Sequence, residues 1–284
     1  MGPATITARE AAEPIGGEPS NDRERATAAA DRAADRRERL LLYGGRLLVG
    51  VLVLGLWEFA SGRWIDTFFV SSPSLVLVRL AELVSTGDLW PDLQATMSEF
   101  GLGLVIGVAA GLVLGLVLAL SGVLGSWFYP YVMVLYSLPK VALAPLFVLW
   151  FGIGLTSKVA MVVSLVLFAV FYNVHEGVRN IDPDLRSMAR SYRATRVQTL
   201  RWVILPSLAP WLLTALRLSV GLALIGTVIA ELVGSSVGLG HYIQVSSNHL
   251  DITGVFAGLT VITVVAVTFD VLVSLLQRRL LHYR

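Results

Sequence analysis

From about Leu40 onward the chain is a succession of apolar runs, each close to the roughly 20 residues that carry a helix across a bilayer. Hydrocarbon offers no hydrogen-bond partners, so a chain crossing it must satisfy its own backbone as a helix or a closed barrel. The runs are apolar on every side and do not alternate with polar residues, which leaves the helix. Hydrophobic residues make up 55% of the chain and charged residues 15%, with mean hydropathy +0.72. The expected fold is therefore all-α, an integral membrane bundle of six transmembrane helices.

Six spans follow in order. The first runs from about Leu40 to Ala60, with Trp57 and Trp64 as interface anchors and Glu58 a wetted boundary carboxylate. Ser61 to Thr96 is too polar to cross, and within it Ser72-Pro73-Ser74 opens a short amphipathic helix that stops at Gly87. The second span, about Glu99 to Leu120, carries Gly103, Gly107, Gly111 and Gly115 at a spacing of four, so one face lies bare for another helix to approach. The third, about Trp127 to Gly152, is broken by Leu138-Pro139-Lys140 and Pro145. Lys140 there is an intramembrane cation, either a pathway residue or the partner of a neighbouring helix. Gly152, Gly154, Thr156 and Lys158 read as an outer turn before the fourth span, about Val159 to Asn173. The fifth, about Trp211 to Val233, contains Arg217 near its inner end and Glu231 near its outer end. Gly238, Gly240, His241, Asn248 and Asp251 form an outer loop, and the sixth span, about Val255 to Leu276, contains Asp270.

One long polar passage interrupts this pattern. Ile181 to Pro206 carries Arg186, Arg190, Arg193, Arg196 and Arg201, and hydrocarbon would reject each at about 3 kcal/mol. Asp182 suits an N-cap, Pro183 the first helical position and Asp184 the positive end of the helix dipole, so a short helix outside the bilayer is expected. Basic residues fix its side. Eight lie in the chain through Arg46, six between Arg179 and Arg201 and three at the C-terminus, against Arg63, Arg79 and Lys158 on the opposite surface. The loop and both termini are thus expected on the cytoplasmic side. Residues 1–40, rich in Ala, Arg and Glu without an apolar period, read as a disordered cytoplasmic tail, and residues 41–284 as one transmembrane domain.

Much chemistry is absent. There is no cysteine, no phosphate-binding G-x-x-x-x-G-K-[ST] and no nucleophile elbow; His175, His241, His249 and His282 fall in separate regions, which argues against a zinc site. The basic residues flank membrane spans, so a pI of 9.0 does not indicate nucleic-acid binding. The expectation is a non-enzymatic membrane bundle whose protruding polar helix contacts a soluble partner.

The loop resembles the cytoplasmic signature of inner-membrane permeases of binding-protein-dependent ABC importers, Glu-Ala-Ala followed by Gly and then Ile-x-Leu-Pro. Ser187-Met188-Ala189, Arg193 and Val203-Ile204-Leu205-Pro206 stand at those places, so the family's Glu is Ser187 and its Gly is Arg193. Ser72-Pro73-Ser74, Gly87-Asp88-Leu89-Trp90, Leu138 through Leu146, Leu149 through Gly154, Ala230-Glu231-Leu232 and Gly238-Leu239-Gly240 resemble the nitrate, sulfonate and taurine type. The resemblance implies a permease that lines the translocation pathway for a small solute, an anion such as a sulfonate, nitrate or aromatic acid. It implies a second permease copy or a related permease, cytoplasmic ATPases that hold ATP and Mg, a solute-binding protein outside, and a prokaryotic inner membrane. No cofactor is expected on this chain. Residues assigned to coupling within the loop 178–206 are Asp184, Ser187, Met188, Ala189, Arg190, Arg193, Leu205 and Pro206; Lys140, Arg217 and Glu231 are assigned to the pathway. With Arg193 in place of glycine, the coupling helix is expected to continue or to end by another route. The alternative function is a secondary transporter driven by ion gradients through Lys140, Glu231 and Asp270, disfavoured by the lack of an inverted repeat.

Overall fold

The computed structural model describes residues 41–281. The expected tail, His282 and Arg284 lie outside the described residues. The first apolar run is helix α1, Leu41–Ala60; up to Phe59 it belongs to one compact unit, and the described residues from Ala60 onward belong to a second. Short helix α2 (Thr67–Val70) leads to α3 (Pro73–Thr86), which Ser72 caps at its start and Gly87, at φ 87, ends in the left-handed conformation. There follow α4 (Leu89–Leu120), α5 (Gly122–Ser137), a 3-10 turn (Lys140–Leu143), α6 (Ala144–Phe151) and α7 (Leu155–Arg179). The polar loop forms α8 (Pro183–Ser191) and α9 (Arg196–Thr199), and a π turn (Leu200–Ile204) then feeds α10 (Leu205–Gly234). Helices α11 (Leu239–Asn248) and α12 (Ile252–Leu281) complete the described chain. Helices α1, α4, α7, α10 and α12 are long and apolar enough to cross a membrane, and α5 with α6, bent by 82° at the Pro139 break, makes a sixth span.

Several expected boundaries move. Helix α4 begins at Leu89, ten residues before the expected Glu99, because its first turns stand beyond the hydrocarbon and need no apolar pattern. Helices α7 and α10 likewise outrun their apolar segments. Lys158 lies inside α7 rather than in an outer turn, and the expected outer loop around His241 is mostly helix α11.

Helix α7 is the central column. The glycine face of α4 lies parallel along it: a Cβ at Gly107 would sit 2.7 Å from Val166 Cβ, and one at Gly115 2.8 Å from Val174 Cβ. Lipid tails are as apolar as any valine, so what holds two spans together is close van der Waals contact, which bare backbone allows. Val162, Val166, Val170 and Val174 are consequently fully buried. On another side α7 meets α10, where Gly177 lies under Leu208 and Trp211. Helix α12 closes the core through an edge-on contact of Phe269 with Phe100 at 4.7 Å and a Gln277 hydrogen bond to the Leu213 carbonyl at 3.1 Å.

Candidate functional site

Polar chemistry gathers at both ends of this bundle. At one end, α4 and α7 begin and α10 finishes. Lys158 Nζ donates to Glu99 Oε1 at 2.6 Å and to Ser235 Oγ at 2.5 Å, and both charged side chains are almost fully shielded. A buried charge of this kind is tolerable only with its partner in place. Beside the pair, α11 opens at Gly238 without a capping side chain of its own. Its free N–H groups find acceptors on other helices: Gly238 N donates to Asp92 Oδ1 (2.7 Å), Leu239 N to Thr96 Oγ1 (2.9 Å) and Gly240 N to Glu231 Oε2 (2.6 Å). Thr96 in turn donates to Glu231 Oε1 at 2.7 Å. Carboxylates at a helix start also meet the positive end of its dipole. Only glycine fits this approach, since a Cβ on Gly240 would lie 2.8 Å from both Glu231 Cβ and the Val228 carbonyl. Glu231 is therefore a helix anchor. Asp92, Thr96, Glu99 and Lys158 escape the sequence reading; the signal was a carboxylate and an ammonium within two otherwise apolar spans.

Lys140 sits at the break between α5 and α6. It donates to the Tyr136 carbonyl at 2.6 Å and lies 5.0 and 4.9 Å from the Tyr136 and Phe168 ring centres. A cation on the last carbonyls of α5 complements the dipole and leaves the ammonium buried but satisfied. Of the two roles open to it, the geometry displays the structural partner.

Arg217 differs. Arg217 stands about 18 Å along α10 from Leu205. It donates to Asp270 of α12 through Nε and Nη2, at 2.8 and 3.1 Å, yet the two side chains remain 52% and 48% exposed. Charge left facing lipid costs about 2.5–3.5 kcal/mol per group, so this face calls for protein or water against it.

At the opposite end the polar loop is built as its sequence dictates. Asp182 accepts from Asp184 N at 2.8 Å, Pro183 occupies the first turn, and Arg186 reaches back to the Val178 carbonyl. The helix does not continue through Arg193. Arg193 adopts the left-handed conformation that glycine would favour (φ 51), with Arg193 N bonded to the Arg190 carbonyl and Ala194 N to the Ala189 carbonyl. These two bonds are a Schellman ending, held by a residue that strains to make it. Ala189 is the buried foot of α8, while Asp184, Ser187, Met188 and Arg190 face outward. Leu185, Met188 and Tyr192 form one exposed apolar stripe at i, i+3 and i+7, with Met188 55% exposed. Leu185 and Tyr192 complete a surface of which the sequence reading named only Met188, although the spacing carried it. Leu205 is exposed and Pro206 lies in the first turn of α10. Pro206 has no N–H to return to the carbonyl four residues earlier, and the chain widens into the π turn just before it, where Leu205 N bonds to Leu200 O.

Residues 103–282 match the family model described as binding-protein-dependent transport system inner membrane component. The chain is 32% identical to the putative aliphatic sulfonates transport permease protein of Bacillus subtilis (strain 168), over 84% of this chain and 87% of that one. It is 31% identical to the taurine transport system permease protein of Escherichia coli (strain K12), over 82% and 86%. The riboflavin transport system permease protein of Chloroflexus aurantiacus is 35% identical, over 82% and 87%. Among solved structures, the MetNI methionine ABC transporter in inward-facing conformations aligns with a TM-score of 0.58 at 19% identity, over 72% of this chain and 95% of that one. An amino acid ABC transporter aligns at 0.52 and 22% identity, over 72% and 97%. These two bear on the fold alone.

Proposed function

Because the chain belongs to the binding-protein-dependent transport system inner membrane component family, and so is a permease subunit of an ABC importer, we propose that it couples partner ATPases to uptake through α8. That membership sets aside the ion-gradient carrier. The observation that carries the proposal is the exposed Leu185, Met188 and Tyr192 stripe on a helix fastened at both ends, by Asp182 and by the Arg193 turn. A soluble protein that covers such a stripe gains about 1.5–3 kcal/mol for each large side chain it buries. The rigid caps then carry a push on α8 through the π turn into α10.

In this reading both termini and the loop lie in the cytoplasm of a prokaryotic cell, and ATP and Mg stay on the ATPases. A solute-binding protein delivers substrate at the end occupied by α11, and a second permease, identical or related, covers the Arg217 and Asp270 face. Arg217 borders the pathway there, with Lys140 and Glu231 fixing the helices around it. Ser187, which brings no charge where the family has one, fits a subunit that works beside a different permease. Purification of a complex whose membrane portion contains only this chain would contradict that pairing. The substrate is an anion: two of the relatives are named for sulfonates and taurine. Thermal-shift screening of the cognate binding protein against sulfonates, nitrate and aromatic acids tests it.

For coupling, Ala189→Arg wedges α8 off its foot and Leu205→Asp charges its hinge. Either substitution is expected to lower uptake by roughly tenfold or more, as loss of a central anchor does, while the complex still assembles and hydrolyses ATP. Unchanged uptake in both would overturn the assignment.

A further inference from the structure

The loop end of the bundle also holds a cationic cavity, distinct from the Leu185, Met188 and Tyr192 stripe. Arg179 at the end of α7, Arg186 and Arg190 of α8, and Thr199 face one space of about 510 Å³, whose far wall is Ala119 and Leu120 at the end of α4. None of its lining residues is acidic, and among the described residues none of the three arginines forms an ion pair. Arginine cannot shed its proton to relieve the crowding. The helix dipole explains a basic residue in the last turns of α7 and α8, but not why Arg186, near the start of α8, turns to the same space. Arg186 Nε is shut away from water without a hydrogen-bond partner, although another nitrogen of the same guanidinium holds the Val178 carbonyl. An adjoining cavity of about 370 Å³ shares Ala119 and Arg179 and is lined by Ser121, Ser126 and His175. His175 is 5% exposed, and its Nδ1 too is buried and unpartnered.

We infer that this cavity binds a phosphate-bearing anion, whose oxygens the Arg179, Arg186 and Arg190 guanidinia receive. Planar guanidinia suit phosphate oxygens, and an anion among the three cancels their like-charge repulsion. The apolar wall at Ala119 and Leu120 suits the glycerol end of an anionic lipid, and a free phosphate supplies the same headgroup chemistry without it. The site lies at the root of α8, apart from the Leu185, Met188 and Tyr192 stripe, so its occupant stiffens the loop rather than competing for that stripe.

The test uses the whole transporter complex in phosphatidylcholine nanodiscs, with the thermal unfolding midpoint as readout. One arm adds phosphatidylglycerol to the discs, and another titrates inorganic phosphate against chloride at matched ionic strength. Wild type is compared with Arg179→Gln, Arg186→Gln and Arg179→Lys, so that any anion bound by the ATPases cancels in the difference. A saturable rise in midpoint is expected, with affinity roughly tenfold weaker in Arg179→Gln and largely kept in Arg179→Lys. A response in the lipid arm alone identifies a headgroup site, and one in the phosphate arm identifies a soluble anion; either supports the inference. Arg179 makes no hydrogen bond through its guanidinium among the described residues, so its variant keeps the test open if Arg186→Gln fails to fold. No rise above the chloride control in wild type, or equal rises in wild type and Arg179→Gln, would overturn it.

Discussion

Arg193 spends conformational energy where glycine would not. At φ 51 its Cβ crowds the following carbonyl, a strain of about 1–2 kcal/mol that the two Schellman bonds oppose. Arg193→Gly is therefore expected to raise the thermal midpoint by an amount equivalent to roughly 0.5–1 kcal/mol, after the extra backbone entropy of glycine is subtracted. A lower midpoint would show that the Arg193 side chain contributes more than its backbone strain removes. The Glu99 and Lys158 pair has the opposite character: Lys158→Met leaves the buried Glu99 carboxyl without its ammonium partner. Removing one partner from such a pair costs about 3–5 kcal/mol, and adding Glu99→Gln is expected to return much of it. Thermal unfolding of the single and double variants in detergent measures both, and additive losses would contradict a mutual ion pair. These residues also mark what was legible. Asp182, Pro183 and Asp184 act on their own helix, so their spacing shows their role. Glu99 and Lys158 meet from 59 positions apart, and only packing brings them together.

At the scale of elements, the glycine ladder of α4 predicted a close helix neighbour but could not say which. Its partner is legible in hindsight as Val162, Val166, Val170 and Val174, a β-branched ladder of the same period in α7. A Cβ on Gly111 would lie 2.5 Å from the Leu167 carbonyl oxygen, and backbone cannot step aside. Gly111→Leu is expected to destabilise the protein by about 1–3 kcal/mol or more through overpacking, and Gly221→Ala, where a Cβ meets open space, to change little. Thermal midpoints or folded yields of the two variants check the contrast. The start of α4 was hidden for a different reason. At 32 residues the helix is about 48 Å long, beyond a hydrocarbon core of about 30 Å, so its first turns keep Asp92 and Thr96 in polar surroundings. Hydropathy reads the membrane, not the helix, and boundaries drawn from it stop short at α4, α7 and α10 alike.

On the scale of the whole molecule, the chain presents two surfaces that a lone protein in lipid would not keep: the half-exposed Arg217 and Asp270 pair within the membrane and the apolar stripe on α8. In the proposed function a second permease around a pathway would cover the first and an ATPase the second, and closure of the ATPases would swing the bundle between two arrangements. The α8 contact is the centre of this account, and the absence of native cysteine makes it directly measurable. A photo-reactive group attached to cysteine in Met188→Cys is expected to cross-link the partner ATPase within the assembled transporter, with a yield that changes when ATP is added. The same group on Trp90→Cys, exposed at the other end of the bundle, is expected to give none. An assembled, transport-competent complex in which position 188 fails to cross-link, or does so no better than position 90, would contradict the account.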